Sequence, residues 1–525
     1  MKTLYVNCKV HSKLDGKVHS FLGVEKGRIT YLGNTRPEGR WKETDLDGAH
    51  VAPRMIDSHM HMLYTMVLAA QSFFISEIKD GKVIPTTVEG ALERLHDYSE
   101  SHPGSKIIVA NGFIPSVFEN PRLLTRQELD KAAPDKAVIV YTIDGHSSTL
   151  SSVMLEKLGM DLETEKDGIM RGERHEFMQG KVTSLIASSL TPSILARGIT
   201  NFVNETRALG LSGVVALDGQ EDDPKDLTCE MLSRIATKLP MDIVFYPQYQ
   251  DFDRARKIFP RQKRRRIGGC SAWELDGAVN SQSAAFYTPY RNMDEKGHTY
   301  YSDEHIRDRV ETALKEDILL TAHAIGPVAI DQILNVYDEH RDELPTENGM
   351  YRIDHFEFPS KEALEKIKGL DIALTFQPGF SYIDKRFLRS YTRYLTDEML
   401  SLIAPLKTLD ESGVCILGSS DSPVQELDPY LQMKGMTAYY VESESLSPAS
   451  AYRSYSLNAG KAIGEDFSLE FGNEATFNVY SKDIEVETLD KSDLLFSMRN
   501  GKRVKLIRHP MLFLLSLPFR RKHTI

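Results

Sequence analysis

Along most of its length this chain alternates short apolar runs with amphipathic stretches. That alternation is the signature of repeated βα units feeding a parallel sheet. Eight runs stand out: HVAPRMIDSHMHM from His50, GVVALDG from Gly213, MDIVFYP from Met241, CSAWELDG from Cys270, LLTAHAIG from Leu319, RIDHFEF from Arg352, IALTFQP from Ile372 and VCILGSSD from Val414. Eight such strands predict an α/β chain closed into a TIM (β/α)8 barrel over residues 55–465. Between the first two runs lies an insertion, residues 65–205, too long for a simple crossover helix. Within it TVEGALERLHDYSESH reads as a helix, and KIIVANGF and AVIVYTI as strands, so a folded lid or subdomain is expected.

The two ends follow a different rule. Short strand-like runs, TLYVNCKV, HSFLGVEKG and RITYLGN, open the chain; ATFNVYS and LFSMRNGKRVKLI return near its end around an Asn500-Gly501 turn. Residues 1–54 and 466–510 are therefore expected to build one small β domain together. Residues 511–525 form a tail with the apolar run MLFLLSL ahead of Arg520, Arg521 and Lys522. A bilayer needs about 20 apolar residues, so the tail is expected to pack back on the protein; a membrane surface or a partner subunit, as in a homodimer, is the alternative.

Composition narrows the function. At 525 residues, 41% hydrophobic and 26% charged, the chain has ordinary globular usage, and a formal net charge of -11 disfavours nucleic acid as partner. The four cysteines, Cys8, Cys229, Cys270 and Cys415, are far apart and unpaired in spacing, which suits a reducing compartment. MKTLYVNCKVHSKLDGK has no apolar stretch of signal-peptide length, so a cytoplasmic location is expected.

The chemistry sits at strand ends. Asp57-Ser58-His59-Met60-His61 follows an apolar run, and strand alternation puts His59 and His61 on one face, where two neutral imidazoles can grip a metal. His323 and His355 end later strands, and Asp421 follows VCILGSS, placed to bind metal or to take a proton from water. Each has a plainer alternative: a strand histidine is commonly structural, and Asp before Ser-Pro is common in turns. The order decides between them, because each residue ends a successive or suitably spaced strand.

That series resembles the amidohydrolase superfamily, and most closely its amidohydrolase 3 branch, which includes N-substituted formamide deformylase-like enzymes. The resemblance covers nearly the whole chain: IDSHMHM, LTRQELDKAAPDKAVIVYTIDGHSS, ELDGAVNSQSAAFYTPY, TAHAIGPVAIDQIL, RIDHFEF, TFQP and LGSSDSPVQELDPY all fit it. It implies a barrel with a small β-sandwich made by both termini. His59 and His61 would hold the more buried metal and His323 and His355 the other, with Asp421 as ligand and general base. The ions would be one or two divalent metals, zinc foremost, with iron and manganese compatible.

Departures are visible too. Where the branch carries a metal-bridging lysine, four residues ahead of Asp276, this chain has Ala272. Alternation puts Cys270, Ala272, Glu274 and Asp276 on one face, leaving Glu274 as the expected substitute ligand and Cys270 as the other candidate. Arg54 replaces a usual glycine, Gln282 a usual arginine, and GNEATFN from Gly472 replaces the family's terminal signature. Asp144-Gly145-His146 matches an element near the family's pocket, so His146, with Asp276 and Gln282, is expected to bind substrate, and His146 or His323 to steady an oxyanion. His175 is expected to face solvent. The expected reaction is hydrolysis of a carbon–nitrogen bond of a small amide, formamide or cyclic amide. The alternatives are a deaminase or esterase using the same residues, or a weakened relative that only binds a metabolite or partner.

Overall fold

The computed structural model describes residues 2–71, 73–79, 82–189, 191–221 and 227–525. Among them run eight parallel strands: β1 (Met55–Met60), β2 (Leu211–Asp218), β3 (Asp242–Pro247), β4 (Arg266–Glu274), β5 (Leu319–Ala324), β6 (Tyr351–His355), β7 (Ile372–Phe376) and β8 (Cys415–Gly418). Each of the eight apolar runs overlaps one of them. They pair in two series, β3-β2-β1 and β4-β5-β6-β7-β8, and a parallel bridge from Met60 to Ser422 ties the end of β1 to the segment after β8. Every residue of β5, β6, β7 and β8 is buried, as expected of parallel strands covered on both faces.

Helices follow the strands. Pro327–Glu339, Lys361–Lys366 and Leu457–Ile463 each lie after a parallel strand; the first starts on Pro327 and the second on a side-chain cap. Ser360, for example, accepts from Ala363 N to close the first turn of Lys361–Lys366.

The insertion carries its own sheet, in the order Ile169–Arg171, Ser147–Leu150, Ala137–Thr142, Ile107–Phe113 and Phe73–Phe74. Helices Val88–Ser101 and Arg126–Ala132 share an apolar cluster with it, built on Leu95, Phe113, Leu129 and Val138. Helix Pro192–Ala208 instead packs on Met62–Gln71 and leads into β2, so the last part of the 65–205 stretch belongs with the parallel strands.

The termini meet in two further sheets. One holds Lys2–Val6, Phe21–Glu25, Arg28–Gly33 and Lys42–Asp45; the other orders Lys9–Val10, His50–Pro53, Phe477–Tyr480, Leu494–Arg499 and Lys502–Arg503. Both feed one cluster including Leu22, Ile29, Val51, Phe477 and Val479. The tail folds back: Pro510–Ser516 packs on Pro192–Ala208, burying Phe513, and Ile525 is pinned by hydrogen bonds to Arg261 and Lys263. No helix among the described residues is long and apolar enough to cross a membrane.

Candidate metal centre

Four strand ends bring five polar side chains together. His59 and His61 come from β1, His323 from β5, His355 from β6 and Asp421 from the turn after β8. The Nε2 atoms of His59 and His61 each lie 3.2 Å from Asp421 Oδ1. Ring centroids separate His59 from His355 by 5.0 Å and His323 from His355 by 4.4 Å. His355, Phe356 and Asp421 hold φ of 75°, 44° and 59°. Non-glycine residues in that left-handed region cost about 1–3 kcal/mol each and gather at functional sites.

What the rings do with their outer nitrogens fixes what the inner ones offer. His61 Nδ1 donates to the Leu217 carbonyl at 3.1 Å, which can only accept. His355 Nδ1 faces Gln377 Oε1 at 2.8 Å, while the Gln377 amide donates to Ser419. His59 Nδ1 lies 3.1 Å from Asp354 Oδ2, and Asp354 is itself held by Arg352 at 2.6 Å and Thr375 at 2.7 Å. With protons turned outward, the Nε2 lone pairs of His59, His61 and His355 turn inward. Outer partners of this kind set tautomer and ring orientation in metal sites.

Asp421 Oδ1 is buried and accepts no hydrogen bond. It faces the Nε2 atoms of His59 and His61 at 3.2 Å, a place that calls for positive charge, whether an imidazolium proton or a metal cation. The local field agrees. Burial opposes charge on His61, yet Asp421 and Cys270 outweigh it and draw its pKa up to about 10. The site demands positive charge, and the donor set fits a divalent ion.

Of the residues around Ala272, Cys270 is the one that faces the histidines. Its Sγ lies 3.6 Å from His59 Nε2, 3.9 Å from His323 Nδ1 and 3.9 Å from His355 Nε2, between the two histidine pairs. Burial resists a thiolate there, but the imidazole of His59 with those of His323 and His355 pulls the thiol well below its ordinary range. Glu274 does not reach this point. It receives Ser271 N at 3.1 Å and shares a second group with His146 and His323.

The reason is a bulge. Gly269 pairs with Ala322 and Glu274 with His323, so residues 270–273 intervene where β5 advances by one. Ser271 sits at φ 56°, and strand alternation fails across it. The bulge is held by Gln248 accepting from Cys270 N at 2.8 Å, Gln250 donating to the Ala272 carbonyl at 2.6 Å and Trp273 donating to the Tyr249 carbonyl at 2.9 Å. Gly268 must be glycine, because a Cβ there would stand 1.9 Å from the Thr321 carbonyl oxygen.

These groups open into a cavity of about 910 Å³, walled on one side by the strand ends and on the other by the insertion through Asn111, Tyr141, His146 and Gln179. Among the described residues no lysine or arginine lines it, whereas Glu77, Glu205, Glu274 and Glu426 do. His146 projects from a turn whose Asp144 carboxylate accepts from Thr142 and Ser281, each at 2.6 Å, and its ring centroid lies 5.3 Å from that of His323. His175, expected at the surface, is fully buried beneath that turn, with Nε2 2.6 Å from the Gly145 carbonyl and Nδ1 3.1 Å from Ser148 Oγ. Its i,i+4 spacing to Gln179 on helix Glu173–Ser188 was the readable sign, since both reach inward on one face.

The other two residues expected to touch substrate are not on the cavity lining, although Asp276 Oδ1 lies 3.7 Å from His323 Nε2. Asp276 is enclosed and accepts three backbone N–H groups, from Ala285, Ile325 and Gly326 at 2.8, 3.0 and 2.8 Å; burial nevertheless raises it to about 7. Gln282 turns its amide to Met293 Sδ, away from the cavity wall. Sequence reading also passed over Asp354, Arg352 and Gln377, which orient the histidines from behind. RID and FQP adjoin the strand ends, but only the folded sheet brings them to the rings.

Comparison with known proteins places this geometry. Residues 42–504 match the model of the amidohydrolase family. The YtcJ amidohydrolase of Bacillus subtilis is 24% identical over 489 residues, covering 88% of this chain and 90% of that protein. The N-substituted formamide deformylase of Arthrobacter pascens is 22% identical over 500 residues, covering 88% and 89%. Solved metal-dependent hydrolases from Pyrococcus furiosus and Pyrococcus horikoshii align with TM-scores of 0.68 and 0.70 at 21% and 20% identity, over 92% and 93% of this chain and 100% and 99% of theirs. Likeness at that level speaks to fold, and the fold is of TIM-barrel type.

Proposed function

The chain belongs to the amidohydrolase family, and from that premise we propose that it hydrolyses a non-peptide carbon–nitrogen bond of a small amide, formamide or cyclic amide. The observation that carries the reading is the convergence of His59 and His61 on the buried Asp421 Oδ1, each at 3.2 Å, beside a substrate-sized cavity lined by His61, His355 and Asp421. The proposed architecture is a closed (β/α)8 barrel, joined across β1 and β8 by the Met60–Ser422 bridge, beside a β-sandwich of the two termini.

In this reading His59, His61 and Asp421 would hold one divalent ion and His323 and His355 a second, with Cys270 offering a thiolate ligand in place of the lysine. Zinc, iron or manganese bound there supplies Lewis acidity and lowers the pKa of water from about 15.7 toward about 7. Asp421 takes the proton of the attacking water and returns it to the departing amine. His146, facing the cavity from the insertion, donates to the carbonyl oxygen as its charge grows. The buried pair Arg352–Asp354 keeps His59 oriented throughout.

The acidic wall selects the substrate. With glutamates and no lysine or arginine on the described lining, neutral or cationic N-substituted amides are favoured over carboxylate-bearing ones. The name of the Arthrobacter relative supports starting with N-substituted formamides. The test is amine release by metal-loaded protein from a matched panel of N-formyl and N-acyl amines. Turnover of neutral and amine-bearing members above acidic isosteres is expected; preference for the acidic members, or release from none, would overturn the reading.

A further inference from the structure

A second histidine-carboxylate group lies outside the barrel strands, where the two chain ends meet. His11 follows strand Lys9–Val10 and is fixed by its N–H to the Val51 carbonyl at 2.9 Å; His50 opens the neighbouring strand His50–Pro53, paired with Tyr480. Asp483 and Glu485 come from the loop after Phe477–Tyr480. The rings stack with centroids 5.1 Å apart and 16° between planes. His11 Nε2 lies 2.9 Å from His50 Nδ1, and these two nitrogens lie 3.8 Å from Asp483 Oδ1 and Oδ2 respectively.

From these four residues we propose a structural metal site for zinc or a similar borderline divalent ion, ligated by His11 Nε2, His50 Nδ1 and an Asp483 oxygen, with water completing the set. Three features point to a ligand. One ligand atom from each of His11, His50 and Asp483 lies within 4.8 Å of the others, and the nitrogen–nitrogen separation of 2.9 Å and the nearest nitrogen–oxygen separations of 3.8 Å, to the two Asp483 oxygens, lie either side of about 3.3 Å, the edge of a tetrahedron with bonds of 2.0–2.1 Å. Glu485 Oε1 takes the His11 Nδ1 proton at 2.8 Å, and its other oxygen is held by Gly16 N at 2.9 Å, which is the carboxylate–histidine support common behind metal ligands. Both imidazoles are buried, 1% and 6% exposed, and burial with the neighbouring His11 keeps His50 toward the neutral, ligating form. The ion would staple the N-terminal segment to one 472 residues further along, between His11 and Asp483. Two imidazoles exclude calcium and magnesium as preferred occupants.

The competing account is a proton shared between the two rings. Chelator-stripped full-length protein is equilibrated with buffered zinc, and bound metal is counted for the wild type, His50→Ala, Asp483→Asn and Glu485→Gln. Crystals of the wild type are scanned for anomalous scattering at the zinc edge. The proposal expects a peak among His11, His50 and Asp483, one equivalent less zinc in His50→Ala and Asp483→Asn, and about 10–100-fold weaker binding at that one site in Glu485→Gln. Counts identical across all four proteins, or no peak between the two rings at saturating zinc, would overturn it. Asp483→Asn and Glu485→Gln keep the test decisive if His50→Ala fails to fold. Since none of these residues belongs to the barrel centre, the result stands independently of the hydrolytic reading.

Discussion

The barrel centre and the His11–His50–Asp483 group use the same residue types, yet they differ in where protons can sit. At the centre, His59, His61 and His355 each have an outward neighbour for one nitrogen, so their remaining nitrogens converge on Asp421 and on Cys270. In the second group, among the described residues, His11 has such a partner in Glu485, and a single proton between two rings can stand in for an ion. The first group borders a 910 Å³ cavity and strained backbone; the second is buried in a seam between chain ends. Histidine and aspartate by themselves therefore do not make a reactive centre. Clamped outer nitrogens and access to substrate do.

That contrast can be broken experimentally. Asp421→Asn should lower turnover by about 10²–10⁴-fold, the span of a lost general base, while most metal stays bound. Unchanged kcat with full metal would remove Asp421 from the chemistry. Cys270→Ser should bind one equivalent less metal, and its cobalt-substituted form should lack the sulfur-to-cobalt absorption of the wild type; an identical spectrum would return Cys270 to the role of a small core residue. Disturbing the clamps from behind sharpens the point: Asp354→Asn or Gln377→Ala should weaken metal affinity or activity by about 10–100-fold, measured by metal titration and kcat/KM. Equal affinity would show that clamping is not what distinguishes the centre.

A smaller effect probes the join between the regions. Asp242 on β3 pairs with Arg54 and with Arg499 of the small domain, each at 2.6 Å. Burial alone would raise this carboxyl, but Arg499 and Arg54 hold it below its ordinary 3.8. Its stabilising contribution is thus present above the unfolded value and is lost as pH falls through the lower folded value. The Asp242 side chain remains 34% exposed, so Asp242→Asn should cost only about 1 kcal/mol near neutrality. The gap between the thermal melts of the two proteins should be smaller near pH 3 than at pH 7; a constant gap would show that the charge is not the cause.

Much of the molecule was legible beforehand for local reasons. Parallel strands covered on both faces must be apolar runs, so eight of them announced themselves, and the histidines and Asp421 could be read as one group because they end those runs. The return of the C-terminal strands to the N-terminal ones was readable from turn and alternation patterns. His175 was misread because a histidine on a polar helix looks exposed until the Asp144–His146 turn closes over it.

The bridging position shows where sequence stops. Perfect alternation places Cys270, Ala272, Glu274 and Asp276 on one face and makes Glu274 the natural substitute for the absent lysine. The sequence by itself determined that some residue of this segment would face the histidines, since β4 stands beside β5. Which residue it would be was a tertiary matter. The bulge over residues 270–273, held by Gln248, Gln250 and the Tyr249 carbonyl from the loop after β3, breaks the two-residue period, turning Cys270 toward three imidazoles and leaving Glu274 beside His146 and His323. A period can be read from one strand, but its interruption is set by neighbours far away in the chain.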